Sequence, residues 1–346
     1  MPQVELNTIT VDGVSVFYRS AGPPTAPVLL LLHGFPASSF QFRELIPLLS
    51  SKFRLLAPDL PGFGFTEVPA ERKYQYTFDS LSLTVEAFLD ALGVDKFAVY
   101  IFDYGVRVSS LSFFHVPTTH PFCTTHPPFY PPPARPSAPH ADPPNDMQPT
   151  HLRWQSPTAF RIAVRKPDRV TAIVTQNGNA YVEGLGKDFW APLEAYWASP
   201  TFSSSSPEAQ ALLPFLQLGP TKWQYTNGVP EALASRVAPE AYTLDAALLA
   251  REGSAESQLS LFYDYRTNPK LYPQWQEYLR TSGVPVLALW GANDVIFVKA
   301  GAEAFARDVK DLVLDFVDSG HFALETHVEH FAEQIDKFLS ARILKA

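Results

Sequence analysis

Five consecutive apolar residues, Val28-Leu29-Leu30-Leu31-Leu32, follow a Gly-Pro-Pro turn. The run is too short for a helix, and it is apolar at every position, as in a strand covered on both faces. Two alternating stretches precede it, Thr8-Ile9-Thr10-Val11 and Val14-Ser15-Val16-Phe17-Tyr18, parted by the hairpin signal Asp12-Gly13. Downstream the pattern predicts a helix over 40–49, a strand over 53–57 and the turn Pro58-Asp59-Leu60-Pro61-Gly62-Phe63-Gly64. A second helix is predicted over 78–92, where Leu81, Val85, Phe88, Leu89 and Leu92 recur at helical spacing and Gly93 stops it. Residues 97–102 form another apolar run. Strand, helix and strand alternate as in a parallel sheet with helices on its faces.

The pattern breaks after Asp103-Tyr104-Gly105. Residues 106–155 are rich in Pro, His and Thr, and helical spacing returns only at 156–163. A strand follows over 170–175, and Gln176-Asn177-Gly178-Asn179 leaves it. From 181 to 280 the chain reads as helical and rich in Trp, Tyr and Leu. Strands at 284–290 and 312–317 and a helix at 331–339 complete it.

A chain of 346 residues, 46% hydrophobic, can bury a full core. The net charge of -8 and the lack of a basic stripe argue against nucleic acid and for a small-molecule substrate. Met1-Pro2-Gln3-Val4-Glu5 carries no basic segment leading into an apolar one, and no apolar run is long enough for a bilayer. The expectation is a cytoplasmic protein with no membrane partner. A single cysteine, Cys123, excludes an internal disulfide and a Cys-based zinc site.

Asp103 ends a buried strand and precedes Tyr104-Gly105, the setting of a strained strand-to-helix turn that lifts a nucleophile above a sheet. A carboxylate there suits displacement at an sp3 carbon, an epoxide or a carbon-halogen bond, through an ester that water later cleaves. The motifs His33-Gly34-Phe35-Pro36, Asp59-Leu60-Pro61-Gly62-Phe63-Gly64, Phe102-Asp103-Tyr104-Gly105, Trp290-Gly291-Ala292-Asn293-Asp294 and Gly320-His321-Phe322 stand in an order that resembles the α/β-hydrolase family. Within it they resemble the branch of epoxide hydrolases and haloalkane dehalogenases. The likeness implies an α/β fold, mostly parallel with flanking helices and an inserted helical cap, and needs no metal or cofactor.

It also implies a triad of Asp103 as nucleophile, Asp294 as acid and His321 as base, in that chain order. The backbone N–H groups of Phe35 and Tyr104 would form the oxyanion hole, with Gly34 allowing close approach. In resembling epoxide hydrolases two cap tyrosines protonate the alkoxide; Tyr196 and Tyr265 are the candidates, Tyr225 and Tyr263 the rivals. Dehalogenase relatives often carry Trp after the nucleophile, where this chain has Tyr104. That and Phe35 favour epoxides, while Trp190 and Trp197 keep dehalogenation as the alternative. His33 and Asp59 read as structural, a cis bond is expected before Pro36, and His327 and His330 are placed on an exposed helical face.

Deleting 106–155 joins Gly105 to Ser156 and restores strand, nucleophile turn and helix. We read the tract as a Pro-rich disordered insertion, with a retained intron as its origin: Val106 can be encoded from GT and Gln155 as CAG. A second reading is a disordered loop offering the polyproline segment Phe129-Tyr130-Pro131-Pro132-Pro133-Ala134-Arg135-Pro136. A metal site from His115, His120, Cys123 and His126 lacks a framework to fix it. The expected organisation is a core of 1–105 and 156–178, the insertion 106–155, a helical cap at 179–282, and the rest of the core at 283–346. An insertion behind the nucleophile also raises a catalytically impaired or purely interacting protein as a further alternative.

Overall fold

The computed structural model describes residues 3–103 and 158–344. Tyr104, Cys123 and the whole tract 106–155 lie outside the described residues. Eight strands form one sheet: β1 (Glu5–Val11), β2 (Val14–Ala21), β3 (Val28–Leu32), β4 (Arg54–Pro58), β5 (Phe97–Phe102), β6 (Val170–Gln176), β7 (Val286–Gly291) and β8 (Leu312–Val317). Their order is β1-β2-β4-β3-β5-β6-β7-β8. The first hairpin is antiparallel, β2 meets β4 antiparallel, and the pairings from β4 to β8 are parallel.

Period-two alternation divides the strand residues between two cores. Leu30, Leu32, Val99 and Ile101 pack with α2 (Phe78–Ala91) and α3 (Thr158–Arg165). Leu29, Leu31, Ala98 and Tyr100 pack with α1 (Leu45–Leu49) and α11 (Ala323–Arg342). With both faces covered, β5 is buried at all six positions. The Thr77 side chain caps α2 by accepting from Ser80 N.

Between β6 and β7 the chain makes a helical excursion: α4 (Lys187–Trp197), α5 (Pro207–Gln210), α6 (Leu218–Thr226), α7 (Pro239–Leu249), α8 (Ser254–Asp264), a 3-10 turn (Tyr265–Thr267) and α9 (Tyr272–Ser282). A short α10 (Lys299–Ala304) precedes β8. The predicted strands match within one or two residues, except that β1 and β2 extend further than their alternation indicated. The last helix starts well before 331, since α11 runs from Ala323 with non-helical backbone at His327, φ −131°. Among the described residues no helix is long and apolar enough to cross a membrane.

Candidate active site

Parallel strands end together, so the loops after β3, β5, β6, β7 and β8 meet at one edge of the sheet. Asp103 is the first residue past β5 and adopts φ +49°, a left-handed conformation costly for a side chain with a Cβ. Gly34, past the neighbouring β3, makes that turn possible. A Cβ on Gly34 would stand 2.5 Å from Asp103 Oδ2. Phe35 N donates to Asp103 Oδ2 at 2.9 Å, and the Phe35-Pro36 bond is cis.

His33 is not part of this chemistry. Its Nε2 accepts from Leu60 N at 3.0 Å, which leaves Nδ1 protonated toward Gly34 O, also at 3.0 Å. Burial lowers its pKa and keeps the ring neutral, the field of Asp59 offsetting only part. Asp59 serves the local turn by accepting from Ser39 N and Phe65 N.

The Asp294 carboxylate accepts three hydrogen bonds. Ile296 N reaches Oδ1 at 2.7 Å, while Asn177 Nδ2 and His321 Nδ1 both reach Oδ2 at 2.8 Å. The far nitrogen of the ring, His321 Nε2, lies 3.3 Å from Asp103 Oδ1. That is contact distance without hydrogen-bond alignment, and Nε2 has no such partner among the described residues. Burial alone would lower the pKa of His321; Asp294 and Asp103 together outweigh it and raise it to about 9. The structure therefore brings Asp103, Asp294, His321 and the Phe35 N–H together, and Tyr104 falls outside the described residues.

The neighbours of this cluster were harder to foresee. Asn177 leaves β6 at φ +45°, and besides holding Asp294 it accepts from Gly291 N at 3.0 Å. Its signal in the sequence is an Asn-Gly pair at a strand end, where Asn tolerates left-handed backbone. Gln176 Nε2 donates to His321 O, and Tyr100 O–H donates to Gln176 Oε1. The excursion also reaches the histidine loop: a Cβ on Gly320 would overlap the Asn227 carbonyl oxygen, and Tyr225 stacks on Phe322 with ring centres 3.7 Å apart. His327 and His330 are half-buried rather than exposed, because His330 pairs with Asp315 of β8 at 2.6 Å and His327 with Thr326.

Of the aromatic candidates, Tyr265 is buried, hydrogen-bonds Tyr272, and lies close enough to Asp103 for that charge to help raise its pKa, after burial and Tyr272. Tyr272 was not singled out from sequence. Tyr196 is also buried, its ring 5.2 Å from Tyr263, its hydroxyl without a hydrogen-bond partner among the described residues, and its pKa raised by burial to about 12. Tyr225 is tied to Asp245 and Tyr263 to Ser199 O. The Trp190 ring tilts over Tyr265 at 4.8 Å, but its N–H donates to Ile296 O. Trp197 and Trp290 likewise donate to the carbonyls of Phe262 and Phe297. Among the described residues no group of His, Cys, Asp and Glu is arranged to hold a metal ion.

A mostly parallel sheet with an acid after β5, an acid after β7 and a histidine after β8 defines an α/β hydrolase. The sequence profile of the alpha/beta hydrolase fold matches residues 27–111 and 156–328, and the chain belongs to that family. It is 46% identical to an uncharacterized hydrolase of Saccharomyces cerevisiae over 326 residues, covering 94% of this chain and 93% of that one. Epoxide hydrolase 3 of Siraitia grosvenorii is 37% identical over 110 residues, 32% of this chain and 34% of that protein. The crystal structure of haloalkane dehalogenase DbeA from Bradyrhizobium elkani superposes with a TM-score of 0.67 at 18% identity, covering 99% of this chain and 100% of that one. At that identity the likeness speaks for the fold alone.

Proposed function

We propose that this hydrolase opens epoxides to vicinal diols through an ester on Asp103. The observation that carries the reading is the disposition of that carboxylate: Oδ2 sits on the Phe35 N–H, while Oδ1 faces His321, which Asp294 holds from behind. Oδ1 attacks an epoxide carbon, the carbon-oxygen bond breaks, and the Tyr265 hydroxyl protonates the departing alkoxide. Water, deprotonated by His321 Nε2, then adds to the Asp103 carbonyl carbon. Charge on Oδ2 is stabilised by the Phe35 N–H, and by Tyr104 in the full oxyanion hole, until the acyl carbon–Oδ1 bond breaks. Oδ1 leaves as a diol hydroxyl carrying the proton of the added hydroxide, and the His321 proton returns to the Tyr265 phenolate.

Ester formation also prepares the base. While Asp103 is charged it helps raise the pKa of His321; esterified, it no longer does, and the pKa falls toward what burial and Asp294 alone set, which favours the neutral ring that accepts a proton more than before. We take 179–282 as a cap over this site, with Tyr196 and Trp190 as substrate contacts, and a small cytoplasmic molecule as the substrate.

Dehalogenation is the second reading, since a carboxylate nucleophile also suits displacement at a carbon-halogen bond. It requires donors for a halide, and the N–H groups of Trp190, Trp197 and Trp290 are engaged by backbone carbonyls. The tract 106–155 interrupts the segment behind Asp103, and the family profile skips 112–155. This supports the insertion reading and makes an impaired enzyme the alternative for the full chain.

Intact mass after incubation with a reactive epoxide tests the proposal. A one-to-one adduct should accumulate in His321→Gln and be absent when Asp103→Asn is added. Adduct only after removal of 106–155 would identify the tract as disabling. Halide release without diol formation would overturn the epoxide reading in favour of dehalogenation.

A further inference from the structure

Arg161 sits on α3 among core residues and is 2% exposed, whereas Arg165 on the same helix pairs with Glu86 and Asp79. Among the described residues no carboxylate lies within ion-pair distance of Arg161. Its Nη1 donates to Asn268 Oδ1 at 3.0 Å and its Nη2 to Thr267 Oγ1 at 3.3 Å, while Nε has no partner among the described residues. The guanidinium carbon stands 5.4 Å from the centre of the Phe78 ring. Burial pulls its pKa down to about 9, and the more distant Asp264 and Asp79 recover only part of the loss. A buried cation without an ion pair is a costly way to fill space that Leu or Met would fill at no electrostatic cost.

What Arg supplies, and an apolar side chain does not, is a rigid pair of N–H donors aimed at one short turn. That turn carries Tyr265. The turn's own backbone is tied by Asp264 Oδ2 accepting from Phe78 N at 2.9 Å, Thr267 Oγ1 donating to Asp264 O at 2.8 Å and Asn268 N donating to Tyr265 O at 2.8 Å, while the Tyr265 side chain also meets Tyr272, Trp190 and Trp197. The Phe78 ring meets Tyr265 edge-on at 5.7 Å. Tyr265 is thus framed by residues that Arg161 and Phe78 hold from α3 and α2.

We propose that Arg161 is a positioning residue for Tyr265: its fork fixes the turn at 264–268 and so holds the Tyr265 hydroxyl where the epoxide oxygen opens. This rests on Tyr265 being the acid of the proposed reaction. Arg161 itself touches no substrate. Its effect on turnover passes through one hydroxyl.

The test uses the full chain with Arg161→Met, Tyr265→Phe and the double variant. In Arg161→Met, amide exchange over 264–272 should accelerate about tenfold with the sheet unchanged, and kcat on an epoxide should fall about tenfold at nearly constant KM. In the Tyr265→Phe background the same substitution should cost nothing further. Unchanged exchange, or effects that multiply, would overturn the proposal. If Tyr265→Phe alone leaves kcat intact while Asp103→Asn removes it, the acid role of Tyr265 and the proposal fall together and the ester chemistry stands. Should Arg161→Met not fold, Arg161→Lys keeps the charge and loses the fork. An intermediate kcat with the same non-additivity supports the proposal, and wild-type kcat overturns it.

Discussion

At the sheet edge the Asp294 carboxylate takes donors from Ile296, Asn177 and His321, whereas in the β6–β7 excursion the Tyr196 hydroxyl, the Gln224 amide and Thr221 Oγ1 are buried with no hydrogen-bond partner among the described residues. The first region holds its polar groups in place before anything binds; the second keeps donors and acceptors uncommitted. Preorganisation belongs where charge develops, and spare hydrogen-bonding capacity belongs where different molecules must be met. His321 Nε2 lies between the two cases, facing Asp103 Oδ1 at 3.3 Å without an aligned hydrogen bond among the described residues.

The largest effect should come from breaking the preorganised side. Asp294→Asn removes the charge that orients His321, and diol formation measured at steady state should fall roughly 10^4-fold. Equal turnover would mean that the Asp294 network is structural only. Next is Gly34→Ala, which pushes a methyl into Asp103; chemical denaturation should register a loss of about 1–3 kcal/mol, with adduct formation slowed as well.

The third effect depends on pH. His321 has a pKa near 9 in the folded chain and about 6.5 when unfolded, so the folded state binds its proton more tightly. That contribution is fully present below about pH 6.5 and is lost as the pH rises through about 9. Denaturation midpoints should drop across this window, and the drop should shrink in His321→Gln.

The smallest effect sharpens the other side of the comparison. Tyr196→Phe deletes a buried hydroxyl that has no partner among the described residues, so the melting temperature should hold or rise slightly. A fall in kcat/KM on polar substrates would then assign that hydroxyl to the substrate.

The same contrast explains what the sequence revealed. β3 and β5 are uninterrupted apolar runs, so their ends, and with them Gly34 and Asp103, could be located within a residue. Asp294 and His321 follow strands whose ends were nearly as clear. Asn177 was not assigned a role because its partner Asp294 lies 117 residues away, and strand order is not written in local periodicity. Arg161 was not singled out, since burial of a cation depends on acceptors at 267 and 268 that only tertiary structure supplies. Tyr272 was indistinguishable from other packing aromatics until its hydroxyl met Tyr265. The early start of α11 was hidden by Glu325, His327 and Glu329, which interrupt the apolar pattern while pairing with Arg43, Thr326 and Arg236.

The close approach of Asn227 to Gly320 has a consequence for ancestry. Because the end of α6 rests against the loop bearing His321, the β6–β7 excursion cannot drift independently of that loop. Lineages should exchange the outer helices freely while inheriting the Asn227-Gly228 turn and Gly320 as a single unit, and a chimera divided between them should inherit neither parent's rate.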